Sequence, residues 1–574
     1  MKKVLSIFSL LFLFLSAVFA APRSLSQMKA AAEGALKAEP AAATRGGAAQ
    51  LEVMKQGRQY TVLGYAQGGF AVIANDDRFD AVLGYSDTKF STDNIPPAMQ
   101  WWMDAADEAM TLRLADGTEA VSGAEVRNSS YPEAVPELMA SRWDQMAPYN
   151  NMVKANLNAD AYTGCVATAM AQIMYYHKSP TKGTSGKNYR VKSDDPATNG
   201  KQLRVMFGST TYDWDNMLPT YTVGGYNDAQ ANAVATLMFH CGVAVEMKYG
   251  TATVGGSGAY DNDVPSALEQ YFGYAAKLYS RCIYTTEDWM NIIYEEISNG
   301  RPVFYGGVTA DPAGHAFVFD GYDAAGMVHV NWGWSGSGNG YYDVALLNSP
   351  TGSFSYEQDM VVMHPGGQPE IPYTSQWGLF DSPLNDMKGS FTVSVTGNQL
   401  RYMATYLAQM DAADFYGNIG LMAEPVDGGE TVVLDNVSML GQGGAPVEYY
   451  GVLNMGNTAS IATLPDGQYR VYLASKATQE TEWQPVRSNE TIVNNYILTK
   501  QGSRATVTAG EPGWTTGIEN VVAGGNGGDG MVRVYTADGV LVYTASADAF
   551  SIDDVPATGL LIVKNGAKTT KVVK

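Results

Sequence analysis

The stretch Thr163-Gly164-Cys165-Val166-Ala167-Thr168-Ala169-Met170-Ala171-Gln172-Ile173-Met174 places one cysteine where a glycine-containing turn enters a helix of small residues. The first turn of a helix carries backbone N–H groups without intrahelical partners and a partial positive charge. Both favour thiolate over thiol and offer donors to an oxyanion on an attacked carbonyl. The pattern reads as a nucleophilic cysteine, which needs a base elsewhere in the chain.

The chain has five histidines. His177 follows on the same predicted helix, roughly 18 Å along its axis and out of hydrogen-bond reach of Cys165. His240 lies in a helical pattern over 231–240, and His364 ends a strand before a linker; both read as packing residues. His315 stands in Gly314-His315-Ala316-Phe317-Val318-Phe319-Asp320-Gly321, at the mouth of a buried strand closed by an Asp-Gly turn. His329 opens the next strand, His329-Val330-Asn331-Trp332-Gly333-Trp334, which pairs with the first as a hairpin. His315 is thus the candidate base, with Asn331 or Trp332 placed to hold its ring.

Composition bounds the rest. The 574 residues exceed one domain; 45% are apolar, 17% charged and 61 are glycine, a globular and strand-rich balance. A net charge of −21 argues against nucleic acid or an anionic membrane as a partner. Lys2-Lys3, the apolar run Val4 to Leu15 and the small residues before Ala21 read as a signal peptide over 1–20, so the mature protein is expected to be exported. Cys165, Cys241 and Cys282 do not make a disulfide framework. Without a C-x-x-C they give no zinc site, and the other two cysteines read as buried hydrophobes. The acidic run at 75–80 reads as a solvated turn, since EF-hand spacing is absent. No cofactor and no metal are expected.

The Cys165 segment, Gly314-His315-Ala316-Phe317-Val318 and Asn331-Trp332-Gly333-Trp334 resemble the motifs of the streptopain family of secreted papain-like cysteine peptidases, which includes interpain-type zymogens. So do Trp143-Asp144-Gln145-Met146-Ala147-Pro148-Tyr149-Asn150, Tyr212-Asp213-Trp214-Asp215-Asn216-Met217, and Asp288-Trp289 followed by Gly300-Arg301-Pro302-Val303. The resemblance implies an α+β, papain-like two-part domain over 131–366, with Cys165 as nucleophile and His315 as general acid/base. It further implies Gln145 as a side-chain oxyanion donor and Trp332 as the tryptophan packing near the histidine. Papain has Asn-Ser-Trp-Gly where this chain has Asn331-Trp332-Gly333-Trp334, so the role of Asn331 stays open. The Gly-rich run 333–340 is expected to be a mobile loop at the cleft edge.

Residues 21–130 resemble the inhibitory propeptide of streptopain-like zymogens, an α+β segment in which 96–114 reads as an amphipathic helix. After a Pro/Gly linker, 370–510 alternates as a β-sandwich. Its Leu464-Pro465-Asp466-Gly467-Gln468-Tyr469 turn looks immunoglobulin-like. The region 515–574 reads as a β meander and resembles the sorting domain of type IX secretion substrates. The expected partners are therefore protein substrates, the chain's own propeptide and an outer-membrane secretion machinery. Location would be secreted or on the outer cell surface. The leading expectation is a secreted cysteine endopeptidase made as a zymogen. The alternatives are an inactive relative acting as adhesin or inhibitor, and a cysteine-dependent acyl transferase.

Overall fold

The computed structural model describes residues 22–36, 50–117, 122–307, 314–347, 358–368, 371–381, 388–440, 444–515, 531–536, 541–546, 555, 560–565 and 568–573. The expected signal peptide lies outside them. Among the described residues no helix is long and apolar enough to cross a membrane.

The alternating segments of the N-terminal region form four strands, β1 (Glu52–Gln56), β2 (Tyr60–Gly64), β3 (Phe70–Ala74) and β4 (Val82–Ser86). α1 (Leu25–Ala35), opened by a Ser24/Gln27 capping box, packs Ala32 on β3. The peptidase region adds β5 (Ala275–Ser280), β6 (Val303–Gly307), β7 (His315–Tyr322), β8 (Val328–Asn331), β9 (Gly340–Tyr342) and β10 (Gln358–His364). All ten strands join in one sheet of order β1-β2-β3-β4-β9-β8-β7-β6-β10-β5. The propeptide region therefore extends the peptidase sheet. The join is antiparallel, Tyr341 opposite Tyr85 and Tyr342 opposite Gly84, with the Tyr85 and Tyr341 rings stacked at 5.3 Å.

α2 (Pro97–Asp116) starts with proline at its first position, ends at Gly117 in the left-handed region, and lies between the propeptide strands and β7. It shows the expected amphipathic pattern, with Gln100, Asp104, Asp107 and Thr111 on the polar side and Asp104 exposed. Ala98, Met99, Trp101, Trp102, Met103, Ala105, Ala106, Ala109 and Met110 are all buried, because the helix is covered by propeptide and peptidase at once. The other face of the sheet packs on a helical half built around α3 (Cys165–His177) and α4 (Asp228–Ala244). The two cores meet across β6 and β7, whose alternating residues face opposite ways: Phe304, Ala316 and Val318 toward α3, Tyr305, Phe317 and Phe319 toward α2.

The sandwich region forms two antiparallel-rich sheets around one core that includes Trp377, Leu407, Phe415, Leu421 and Leu473. The Tyr469 hydroxyl donates to the Pro465 carbonyl at 2.9 Å, the corner anticipated from the turn. The sandwich does not hang on its linker. Gln376 donates to the Leu278 carbonyl at 2.6 Å and accepts from Tyr284 at 2.8 Å, Arg281 pairs with Glu490, and Arg487 lies over the Tyr284 ring. In the terminal region the strands Met531–Thr536, Leu541–Ser546, Leu560–Asn565 and Lys568–Val573 make a four-stranded sheet. It is not a simple meander. Met531–Thr536 pairs with both Leu541–Ser546 and Leu560–Asn565, so the chain crosses from one side of it to the other.

At Gly84 a Cβ would come 2.5 Å from the Tyr342 ring. Gly84→Val is expected to loosen the β4–β9 join, seen as amide exchange over 60–86 at least tenfold faster than in the parent chain while exchange in 165–177 is unchanged.

Candidate active site

Gly164 holds φ 89° and ψ 144°, and a Cβ on it would lie 2.6 Å from the Met247 side chain, so both conformation and space call for glycine. The turn delivers Cys165 as the first residue of α3, and the Thr168 hydroxyl and N–H both donate to the Gly164 carbonyl, at 2.9 and 3.0 Å. The N–H groups of Cys165, Val166 and Ala316 are directed at the sulfur and favour thiolate. Burial acts the other way and prevails, with the Asp261 carboxylate adding to it, so the thiol is held above its ordinary 9.0. The helix terminus alone does not ionise this cysteine, because desolvation outweighs it.

The Ala316 N–H acts on the Cys165 sulfur, and His315 is its chain neighbour. His315 begins β7 opposite Gly307 of β6. It forms no hydrogen bond with a described residue, and burial lowers its imidazole below the ordinary 6.5. The reason lies in α2. A Cβ on Gly307 would overlap the Trp101 indole, which packs on Phe317 at 5.8 Å and so occupies the sheet face that carries His315. Asn94, ahead of α2, accepts from the Trp334 indole N–H at 3.4 Å.

Trp332 also stands on Phe317, with ring centroids 5.0 Å apart, and its indole N–H donates to the Gly338 carbonyl at 2.9 Å. Asn331 is committed elsewhere. Its amide donates to the Ser141 carbonyl at 2.8 Å, and its oxygen accepts from the Gly333 N–H at 3.1 Å and the Gln172 side chain at 3.4 Å. The Gln145 carbonyl accepts from the Thr163 N–H at 3.1 Å, which lays Gln145, partly buried, beside the Gly164-Cys165 turn. The 333–340 run is pinned rather than loose. Ser335 donates to Asp144 at 2.5 Å and through its N–H to the Trp143 carbonyl at 3.0 Å, and the Gly338 N–H donates to Thr88 of the propeptide region at 2.9 Å.

Three of the other histidines are engaged. His329 lies between Asp320 at 2.6 Å and Glu137 at 3.3 Å, His364 bonds Glu296 at 3.0 Å, and His240 bonds Tyr212 at 3.0 Å. His177 closes α3, where burial drops its imidazole to about 4. Cys241 and Cys282 are free and buried, and among the described residues no cluster of candidate ligands could hold a metal. Sequence reasoning missed Trp101, Asp261 and Gln172. Gln172 was findable, two helical turns from Cys165 on the same face; the other two meet the site only through tertiary packing.

A profile of the peptidase C10 family matches residues 143–342, and one of the Spi protease inhibitor matches 20–110. Streptopain of Streptococcus pyogenes is 32% identical over 361 residues, 59% of this chain and 89% of that protein. The chain belongs to the peptidase C10 family. A thiol protease/hemagglutinin, PrtT, of Porphyromonas gingivalis is 31% identical over 317 residues, 51% of this chain and 35% of its own length. Among solved structures, a fragment of Prevotella intermedia prointerpain A is 42% identical, with a TM-score of 0.50, covering 57% of this chain and 100% of the fragment. This C10 protein is a cysteine peptidase that carries its inhibitory segment ahead of the peptidase, on the papain-like α+β fold expected, with all-β sheets following.

With the Cys165 thiol raised by burial, iodoacetamide alkylation of the intact C10 precursor is expected to stay slow through neutral pH and rise only above pH 9. The processed form should react at least tenfold faster at pH 7. Mass mapping of the adduct at timed intervals checks both.

Proposed function

We propose that Cys165 is the nucleophile and His315 the general acid/base of this peptidase, acting on protein substrates after the propeptide has left. The observation that carries the reading is the Ala316 N–H on the Cys165 sulfur, which makes the start of β7 and the N-terminus of α3 a single site. With Trp101 withdrawn, the His315 ring is free to reach the thiol, and a thiolate–imidazolium pair replaces two neutral groups. The thiolate attacks the peptide carbonyl, and the oxyanion takes the Cys165 N–H and the Gln145 side-chain amide. His315 protonates the departing amine, then accepts a proton from the water that hydrolyses the thioacyl-enzyme. Trp332 walls the imidazole. Asn331 acts through Gln172 and Ser141, holding β8 against α3.

The domain reading assigns 1–20 to a signal peptide, 21–130 to the inhibitory propeptide, 131–366 to the peptidase, 370–510 to the sandwich and 515–574 to a secretion sorting domain. The basic-apolar-small order of the first twenty residues supports export. The four-stranded terminal sheet, with Val532 and Val534 buried, supports a separate terminal unit for an outer-membrane secretion machinery to recognise. The protein would then act outside the cell or on its outer surface.

An epoxide thiol inhibitor should label Cys165 in the processed protein and lose at least a hundredfold in rate in His315→Ala, read by peptide mapping; equal labelling in that variant would remove His315 from the site. Cys165→Ala should accumulate as a stable full-length precursor on an immunoblot. A chain ending before Thr516 is expected to remain in the periplasm, whereas the full chain reaches the medium or surface, as fractionation would reveal.

A further inference from the structure

The ten-stranded sheet ends at β5, and an end strand presents backbone groups that need a partner or a cover. The sandwich covers this one. Gln376 joins the Leu278 carbonyl of β5 to the Tyr284 hydroxyl, and Lys277 of β5 donates to Thr374. Next to these bonds the contact is apolar: Phe380, Ala408 and Met410 of the sandwich lie in one buried cluster with Cys282, Ile283 and Trp289 of the peptidase. Gly378 sits so close to Ile283 that a Cβ on it would overlap that side chain, and a Cβ on Gly513 would lie 2.7 Å from Thr285. Arg487 pairs with Asp288 at 3.7 Å, and the Thr286 hydroxyl donates to Glu490 at 2.6 Å. Tyr449 and Ala412 pack on the other core, so the sandwich touches both.

Interfaces between domains of one chain are ordinarily polar and leave the domains free to move. Here the apolar core of the peptidase runs on into the sandwich instead. A row of rings carries the contact inward. Arg487 lies 4.4 Å over Tyr284, Tyr284 packs on Trp289 at 5.9 Å, Trp289 on Tyr305 at 5.9 Å, and Tyr305 on Phe317 at 5.5 Å, in the same strand as His315. We infer that the sandwich is a permanent positioning domain of the working enzyme, docked on β5 and residues 281–289, kept through maturation, and steadying the strand that carries His315. Close-packed interiors pass a displacement on rather than absorb it. The docking stands independently; the effect on turnover rests on the reading of His315 as general acid/base.

The test inserts a recognition sequence for a specific protease between the exposed Gly367 and Gln368. After cutting there, in the full chain and in the processed enzyme, the two pieces should stay together on a sizing column in about 1 M NaCl, since apolar contact is not screened by salt. Pieces that separate in either form overturn the docking. In the uncut processed enzyme Gly378→Leu should lower kcat about tenfold with KM within about twofold, as expected of a small displacement of the reacting groups. Ile283→Ala added to it vacates the space the leucine needs and should recover most of the loss, which general damage to the fold would not allow. Arg487→Ala, which needs no added room, should move kcat the same way and serves where the leucine variant does not fold. An unchanged kcat in both variants overturns the positioning role, as does a loss that Ile283→Ala fails to recover. A processed wild type whose pieces stay together but which fails to label at Cys165 with the epoxide removes the Cys165–His315 reading instead, and the effect on turnover with it.

Discussion

The inhibited state depends on a two-residue strand join. Tyr341 and Tyr342 of β9 pair with Tyr85 and Gly84 of β4, and the Asp343 N–H adds a bond to the Leu83 carbonyl at 2.8 Å. Each backbone bond contributes about 1 kcal/mol net, so the ladder fixes register more than it binds. What binds is the apolar surface it aligns: Trp102 meets Tyr342 edge-on at 4.8 Å, and Trp101 fills the space above Gly307. A sheet extension thereby sets a helix, and the helix sets one indole on the face of β7 that carries His315.

The chemistry follows from that placement. In the intact chain Cys165 and His315 are both driven toward their neutral forms by the same cause, burial, which raises the thiol and lowers the imidazole. An ion pair would reverse both shifts, since each charge favours the other. Three N–H groups, of Ala316, Val166 and Cys165, act on the sulfur in the opposite sense to burial and favour thiolate.

Much of this was legible in the chain. The Gly-Cys turn into a small-residue helix and the Gly-His entrance to a buried strand located α3 and β7, because both are local constraints: a positive φ that glycine alone meets comfortably, and a period-two apolar run. His240 and His364 read as packing residues and are buried on Tyr212 and Glu296, and the Tyr469 corner was visible in its turn. The amphipathic helix expected over 96–114 keeps its polar stripe, with Asp104 exposed, but its buried face is wide because propeptide and peptidase both cover it. The misreadings were tertiary. The Gly-rich run 333–340 was expected to move, yet Thr88, Trp143 and Asp144 hold it from three separate segments. Desolvation of Cys165 could not be read from its neighbours in sequence, since the groups that bury it lie far away along the chain.

The central claim is that the propeptide holds His315 neutral and apart from Cys165. Histidine-selective 15N NMR of the full chain, and of the chain after propeptide removal, tests it most directly, with His315→Ala used to assign the resonance. The account predicts a His315 imidazole that titrates below its ordinary 6.5 in the precursor and is neutral at pH 7, and an imidazolium persisting above pH 7 in the processed enzyme that is lost in Cys165→Ala. An imidazolium already present at pH 7 in the intact precursor would contradict it.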